Sequence, residues 1–142
     1  MADMLQETKN PLPREEEAAA LGELLHAHKG GDVTVLDLRV MDAWTDFFVI
    51  ATASSNTHLD GLERHVKEFC RERDLEILRR SRKNTGEEDE WRLFDLGWAV
   101  IHLMSARLRS FYELERLYPE AHALKQGETA YSSKSSKSPS SS

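Results

Sequence analysis

Apolar residues recur at helical spacing in three segments of the chain. The first segment, residues 14–29, predicts a helix that the Gly30-Gly31 pair ends. The second predicted helix starts near Asn56 with Ser54 or Ser55 as its N-cap, because its apolar positions follow one another at helical steps. The apolar positions of the third are Leu108, Phe111, Tyr112, Leu114, Leu117 and Tyr118, before Pro119 ends it.

Strand patterns lie between these helices. Val33–Leu38 alternates between two faces, and Phe47–Thr52 is a continuous apolar run typical of a strand that is covered on both sides. Trp91–Leu96 and Ala99–Met104 predict two further strands. The Gly97-Trp98 pair between them predicts a tight hairpin, with Trp98 exposed at the turn.

A weaker strand candidate covers Leu75–Arg80, and the polar segment Ser81–Glu90 predicts a loop. The order of elements predicts an α/β fold in which helices flank one mixed β-sheet. We expect one domain over residues 14–120, preceded by a flexible arm over residues 1–13. Residues 121–142 are expected to form a disordered Ser/Lys-rich tail, because the last eleven residues contain eight serines.

Composition narrows the class of protein. Of the 142 residues, 39% are hydrophobic and 31% are charged, and no apolar run is long enough to span a bilayer. The single cysteine, Cys70, excludes an internal disulfide and favours a reducing compartment. The first residues resemble neither a secretory signal nor a transit peptide. We therefore expect a cytoplasmic protein.

Negative charge dominates the segment that is expected to fold. The formal net charge of the whole chain is −6. The last eleven residues hold Lys134 and Lys137 and no acid, so the remainder has 17 basic and 25 acidic residues, a net charge of −8. This balance predicts a basic partner and little or no direct binding of nucleic acid. The basic cluster at 79–83 is followed by acids at 87–90, which favours a solvated loop.

Candidate chemical groups are few. The chain has no Gly-rich phosphate loop, nucleophile elbow or zinc-binding helix motif. His102 lies inside an apolar strand and is either a core residue with a hydrogen-bond partner, which we favour, or part of a binding surface. Asp46 and Asp95 stand at strand ends, which suits either acid–base or metal chemistry or hydrogen bonding to turn amides. We expect neither a metal site nor a cofactor.

Tryptophans are a second kind of candidate, because they are enriched at the energetic centres of protein interfaces. The chain has three, Trp44, Trp91 and Trp98. We expect Trp91 to belong to the core with a partly exposed edge, and Trp98 to be exposed.

Six motifs follow one another over Val33–Pro119: Val35–Leu38, Trp44–Ile50, Ala51–His58, Trp91 with Leu93–Gly97, Val100–His102 and Arg109–Leu117. In this order and at this spacing, they resemble the ribosomal silencing factor family, also called the Iojap-related family. Two departures are Trp98, where the family usually has an acidic residue, and the long charged segment Ser81–Glu90.

The resemblance implies a translational repressor without catalytic activity. It implies binding to the large ribosomal subunit through ribosomal protein L-fourteen, a block on joining with the small subunit when nutrients are short, and a homodimer. The implied fold is nucleotidyltransferase-like but lacks the catalytic apparatus. The residues expected to bind the partner are Ser55, His58, Trp91, Asp95, Gly97, Trp98, His102, Arg109 and Tyr112.

An enzyme on the same fold is the alternative hypothesis. A nucleotidyltransferase or nucleotide-binding domain would use Asp46 or Asp95 with magnesium. Phosphoryl transfer usually needs clustered carboxylates and a phosphate cradle, and neither is visible in the sequence.

Overall fold

Six β-strands and three α-helices make up the described part of a computed structural model, which comprises residues 11–41, 43–85, 88–117 and 122–125. In chain order the elements are α1 (Pro11–Ala27), β1 (Gly31–Asp37), β2 (Phe47–Ala53), α2 (Asn56–Glu72), β3 (Arg79–Thr85), β4 (Glu88–Asp95), β5 (Ala99–Ser105), α3 (Ala106–Tyr112), a 3₁₀ turn (Leu114–Leu117) and β6 (His122–Lys125). No helix in these ranges is long and apolar enough to cross a membrane.

All six strands belong to one sheet in the order β3-β4-β5-β2-β1-β6. The pairing of β2 with β5 is parallel, and the other four pairings are antiparallel. Helices cover parts of both faces of this sheet. The predicted α/β fold with one mixed sheet is therefore confirmed, and the edges of the sheet are β3 and β6.

The face of the sheet that α1 and α2 cover is here called the closed face. Leu21 and Leu25 of α1 and Leu62 of α2 are fully buried against it. The apolar side of α2 is continuous because its apolar residues recur at helical spacing, as the sequence predicts. Cys70 is buried there as a free thiol, and burial raises its pKa to about 11. It is therefore a protonated core residue at neutral pH.

The opposite face of the sheet is here called the aromatic face. The seven-residue helix α3 packs on β5 and β2, and Leu108 and the following Leu114 are buried there. The chain then turns at Glu113, whose φ of 46° is left-handed, and this residue ends the helix. The single helix predicted up to Pro119 is thus a short helix and a 3₁₀ turn, and Pro119 lies outside the described residues.

The strand predicted at Leu75–Arg80 is misplaced. The strand β3 begins at Arg79 and continues through most of the predicted loop Ser81–Glu90, where it pairs with β4 from Arg79↔Asp95 to Thr85↔Glu88. A polar segment can form this strand because β3 lies at the sheet edge, where one side of its backbone needs no partner and its side chains need no apolar cover. The predicted loop is therefore largely a hairpin.

Both predicted domain boundaries also shift. The first helix begins at Pro11 rather than Arg14, which proline permits because the first turn of a helix needs no backbone N–H donor. Residues 122–125, expected in the disordered tail, form β6 and pair with β1. The serine-rich end of the chain and the first ten residues lie outside the described residues.

Candidate protein-binding surface

Six rings form a continuous row across the aromatic face. Neighbouring ring centroids are 4.6 Å apart for Phe48 and His102, 5.9 Å for His102 and Trp91, and 4.9 Å for Trp91 and Tyr112. The row extends to Trp44 at one end, 6.4 Å from Phe48, and to Phe111 at the other, 4.9 Å from Tyr112. Edge-on and tilted contacts at these distances are favourable for aromatic pairs. The row is therefore one packed unit.

The sheet and α3 position the members of this row. Phe48 and His102 lie on β2 and β5, which pair in parallel, and Trp91 lies on the neighbouring β4. Paired residues of neighbouring strands, like alternate residues along one strand, share a face, so these three side chains point to the same side of the sheet. Tyr112 reaches the row from the last turn of α3. The strand β2 and the three consecutive elements β4, β5 and α3 thus converge on one surface.

The ends of the row are open to solvent. Phe111 is 73% exposed and Trp44 is 58% exposed, and Val40, on the same β1–β2 loop as Trp44, is 80% exposed. Trp91, Leu93 and Tyr112 are half-buried. A neighbouring cavity of about 180 Å³ is lined by Ser81, Arg82, Trp91 and Leu93. We call Val40, Trp44, Trp91, Leu93, Phe111 and Tyr112 the aromatic patch.

His102 is the buried centre of the row. Its Nδ1 accepts a hydrogen bond from the Trp91 indole N–H at 3.2 Å. Burial, with a smaller contribution from the charge of Arg109, lowers the pKa of His102 to about 3, so the imidazole is neutral. The expectation of a core histidine with a hydrogen-bond partner is confirmed. His102 holds the indole of Trp91 in place rather than meeting a partner itself.

Arg109 links α3 to the sheet through hydrogen bonds. Its guanidinium is buried and donates to the hydroxyls of Thr52 at 3.0 Å and Thr34 at 3.1 Å. These threonines lie on β2 and β1, so one side chain joins three elements. Arg109 therefore supports the helix that carries Tyr112 and Phe111. Arg109 was predicted to contact a partner, but its side chain is buried.

Ser55 and His58 belong to the start of α2. The Ser55 hydroxyl caps the helix by accepting the His58 backbone N–H at 3.0 Å, which confirms one of the two predicted N-caps. The His58 ring accepts the Ser54 backbone N–H and donates from Nε2 to the carbonyl oxygen of His28. His58 therefore ties α2 to the end of α1, Ser55 holds the start of α2, and neither joins the aromatic row.

The hairpin between β4 and β5 lies at the other end of these strands from Trp91. The carboxylate of Asp95 accepts the Gly97 backbone N–H at 2.8 Å and pairs with Arg79 at 3.1 Å. Its role as a strand-end acceptor is thus confirmed. Gly97 has a φ of 88°, a conformation in which side chains are strained.

Trp98 is half-buried, so the prediction that it is exposed is wrong. Its ring packs edge-on against Phe47 at 6.2 Å, on the closed face. The guanidinium of Arg14 lies 4.7 Å from the centre of the Trp98 ring. The first helix therefore covers a turn that local sequence marks as exposed, and this contact joins residues far apart in the chain.

The structure thus divides the nine predicted site residues. It brings Trp91, His102 and Tyr112 together on the aromatic face and places the other six at helix starts, the hairpin or the base of α3. Phe111 and Trp44, a candidate tryptophan that was not among the nine, are the most exposed rings of the row. The signal for Trp44 is its place in a polar loop before a buried strand, whereas Phe111 follows the helical pattern of a buried residue.

Metal-binding groups do not gather in the described ranges: no group of three His, Cys, Asp or Glu side chains there could hold a metal ion. Asp46 and Asp95, the residues of the enzyme alternative, have different environments. Asp46 is exposed, whereas the side chain of Asp95 is held by Gly97 and Arg79.

The fold and the open aromatic row define an α/β protein with a candidate protein-binding surface. Residues 11–142 match the family model described as "Ribosomal silencing factor during starvation". The chain is 37% identical over 103 residues to the ribosomal silencing factor RsfS of Treponema pallidum, which covers 72% of this chain and 90% of the relative. The chain belongs to the ribosomal silencing factor, or Iojap-related, family.

Two further comparisons extend this result. A mouse protein named "Mitochondrial assembly of ribosomal large subunit protein 1" is 29% identical over 98 residues, which are 69% of this chain and 43% of the mouse protein. A crystal structure of a Chromobacterium violaceum protein matches with a TM-score of 0.64 and 28% identity, over 73% of this chain and 85% of that protein.

Proposed function

We propose that this protein represses translation by binding the large ribosomal subunit in the cytoplasm and blocking its joining with the small subunit. The partner is ribosomal protein L-fourteen, the contact surface is the aromatic patch, and the setting is nutrient limitation. The observation that carries this proposal is the solvent-accessible aromatic patch on the sheet of a member of this family. The protein would act as a regulatory factor, without catalysis.

Aromatic residues give the patch the chemistry of a protein interface. Tryptophan and tyrosine dominate binding energy at interfaces because they bury a large area and lose little conformational entropy. The hydrogen bond from Trp91 to the buried His102 fixes the indole before a partner arrives. Such preorganisation lowers the entropic cost of binding.

Charge supports a basic ribosomal protein as the partner. The chain carries a net charge of −6, which attracts a basic surface and accelerates encounter at low salt. The apolar rings would then supply most of the affinity. On its own, a chain of this charge is not expected to bind naked RNA tightly.

A steric mechanism needs occupancy of a surface and no turnover. The name of the mouse relative refers to the large ribosomal subunit, which supports that subunit as the target. A second copy of this chain is the competing occupant of the patch. If a homodimer forms through the patch, it would be displaced when the ribosomal partner binds.

The proposal is tested with the double substitution Trp44→Ser and Phe111→Ser. Both side chains are mostly exposed, so the fold should tolerate their loss. In sedimentation with purified large subunits, we expect the variant to bind at least about tenfold more weakly than the wild type. It should also lose the block on subunit joining.

Leu78→Ser is the matched control. Leu78 is 54% exposed and lies outside the patch, so its substitution removes apolar surface elsewhere. We expect wild-type binding from this variant. Equal binding by the wild type and the double variant would overturn the role of the patch. No binding of the wild type to large subunits would overturn the function itself.

A further inference from the structure

The loop between β1 and β2, residues 38–46, carries two members of the aromatic patch. Trp44 stands at one end of the aromatic row, and Val40 is mostly exposed to solvent. Exposed side chains have few packing contacts to hold them, so their direction depends on the backbone that carries them. A hydrogen bond of 2.7 Å from the Leu38 backbone N–H to the Asp46 carbonyl closes the base of this loop.

The Arg39 side chain holds the first end of the loop. Its Nε and Nη2 donate to the two carboxylate oxygens of Asp37 on β1, at 2.9 Å and 2.7 Å. Nη2 also donates to the carboxylate of Glu15 on α1 at 2.9 Å. The guanidinium carbon lies 4.9 Å from the centre of the Phe47 ring on β2. One side chain thus joins the start of the loop to two strands and to the first helix.

Thr45 holds the second end of the loop. Its hydroxyl, on a buried residue, donates to the Gly97 carbonyl at 3.1 Å. The backbone N–H groups of residues 46 and 47 donate to the Trp98 carbonyl, each at 3.2 Å. The second end is therefore tied to the hairpin between β4 and β5, whereas Arg39 ties the first end to α1.

We propose that Arg39 is a positioning residue, which holds loop 38–46 so that Val40 and Trp44 are ordered before the protein partner binds. This inference rests on the proposed function, because the partner is the one that would bind the aromatic patch. A guanidinium suits this task because its planar fork can bridge two carboxylates while it stacks on a ring. Ordering exposed side chains in advance lowers the entropic cost of binding. Arg39 would thus add affinity without contacting the partner.

Arg14 makes the same kinds of contact, but to α1 and the hairpin rather than to the loop. It pairs with Glu17 at 3.0 Å, and its guanidinium lies 4.7 Å from the centre of the Trp98 ring. The side chains of Arg14 and Arg39 are 44% and 38% exposed. Ion pairs this exposed contribute little to stability, so glutamine at either position should leave the fold intact. Arg14 is therefore the matched control for Arg39.

The first test compares Arg39→Gln with Arg14→Gln in binding to purified large subunits. We expect Arg39→Gln to bind about two- to tenfold more weakly, because one or two side chains must then be ordered on binding. Arg14→Gln should bind like the wild type. Arg39→Lys should recover part of the loss, since lysine keeps the charge but lacks the planar fork.

A background that carries Val40→Ser and Trp44→Ser shows whether Arg39 acts through the loop. Binding is measured at a salt concentration low enough for this background protein to bind. If Arg39 only positions these two side chains, Arg39→Gln should cause no further loss of affinity there. An equal loss with and without the serines would show that Arg39 itself contacts the partner, which would overturn the inference.

The second readout does not need the ribosome. NMR relaxation of the indole N–H groups gives an order parameter for each tryptophan. Arg39→Gln should lower the order parameter of Trp44 and leave that of Trp91 unchanged. Arg14→Gln should change neither value.

The inference is wrong if Arg39→Gln keeps wild-type affinity or leaves Trp44 as ordered as in the wild type. It is also wrong if Arg14→Gln causes an equal loss of affinity, because the effect would then be a general weakening of α1. Failure of the proposed function would look different. Wild-type protein would then not bind large subunits, while the change at Trp44 would still be seen by NMR.

Discussion

The same strands form both faces of the sheet, but helices cover the two faces to different extents. Two helices of seventeen residues each cover the closed face, and its large side chains are almost completely buried. Of the described elements, only the seven-residue α3 and the 3₁₀ turn pack on the aromatic face, and its row of rings remains open at both ends. The difference separates two tasks, since one face supplies stability and the other a contact surface.

This division predicts where substitutions act. Loss of a closed-face side chain should change the free energy of unfolding and leave the affinity of folded molecules unchanged. Loss of an exposed ring on the aromatic face should do the reverse. The largest expected effect lies on the closed face.

Leu62→Ala should lower the free energy of unfolding by about 2 to 5 kcal/mol, because it leaves a cavity between α2 and the sheet. Denaturant titration measures this change. Binding to large subunits, corrected for the folded fraction, should equal that of the wild type. A loss of affinity in the folded fraction would show that the closed face also contributes to recognition.

Acid should destabilise the protein through the aromatic face. The pKa of His102 is lowered from 6.5 to about 3 in the folded state, so between these pH values the unfolded chain binds a proton that the folded chain does not. The free energy of unfolding should therefore fall as the pH drops below about 6.5, by up to about 1.4 kcal/mol per unit. Denaturant titrations between pH 7 and 5 measure the slope.

His102→Leu is the control for this slope. The variant has no titrating group at the centre of the row, so its stability should depend less on pH than that of the wild type. His65, whose pKa is also lowered, mainly by burial, is present in both proteins and cancels in the comparison. Identical slopes would place the acid sensitivity elsewhere.

Ser55→Ala should have the smallest effect, a loss of about 1 kcal/mol in the free energy of unfolding, because the cap of α2 is removed. Thermal or chemical unfolding detects this change. Because Ser55 lies away from the aromatic row, we expect no change in affinity for large subunits. A loss of binding free energy larger than the loss in the free energy of unfolding would show that Ser55 contacts the partner.

Local patterns in the sequence predict most of the fold. The amphipathic α2, the buried β2 and the Gly97 turn each depend on neighbours in sequence, through helical spacing, apolar runs and glycine's access to positive φ. The strand β3 was misplaced because an edge strand is stabilised by its pairing with β4, which no local pattern records.

The candidate site depends on contacts between distant segments. His102 could be assigned to the core because its neighbours on β5 are apolar, and Trp91 because it begins the predicted strand Trp91–Leu96. Trp98 was predicted to be exposed because the local sequence does not record tertiary contacts. In the structure, Arg14 and Phe47 contact its ring. Phe111 was missed because it lies one helical turn after the buried Leu108, a spacing that predicts burial, whereas its ring is exposed on α3.

The pairing of β6 with β1 has a consequence for the order of folding. One short loop separates β1 from its first partner, β2. Its second partner, β6, comes after all the other strands in the sequence. During synthesis from the N-terminus, this flank of β1 stays without that partner until the last described residues leave the ribosome. The six-stranded sheet is thus completed only after β5 and α3 have been synthesised.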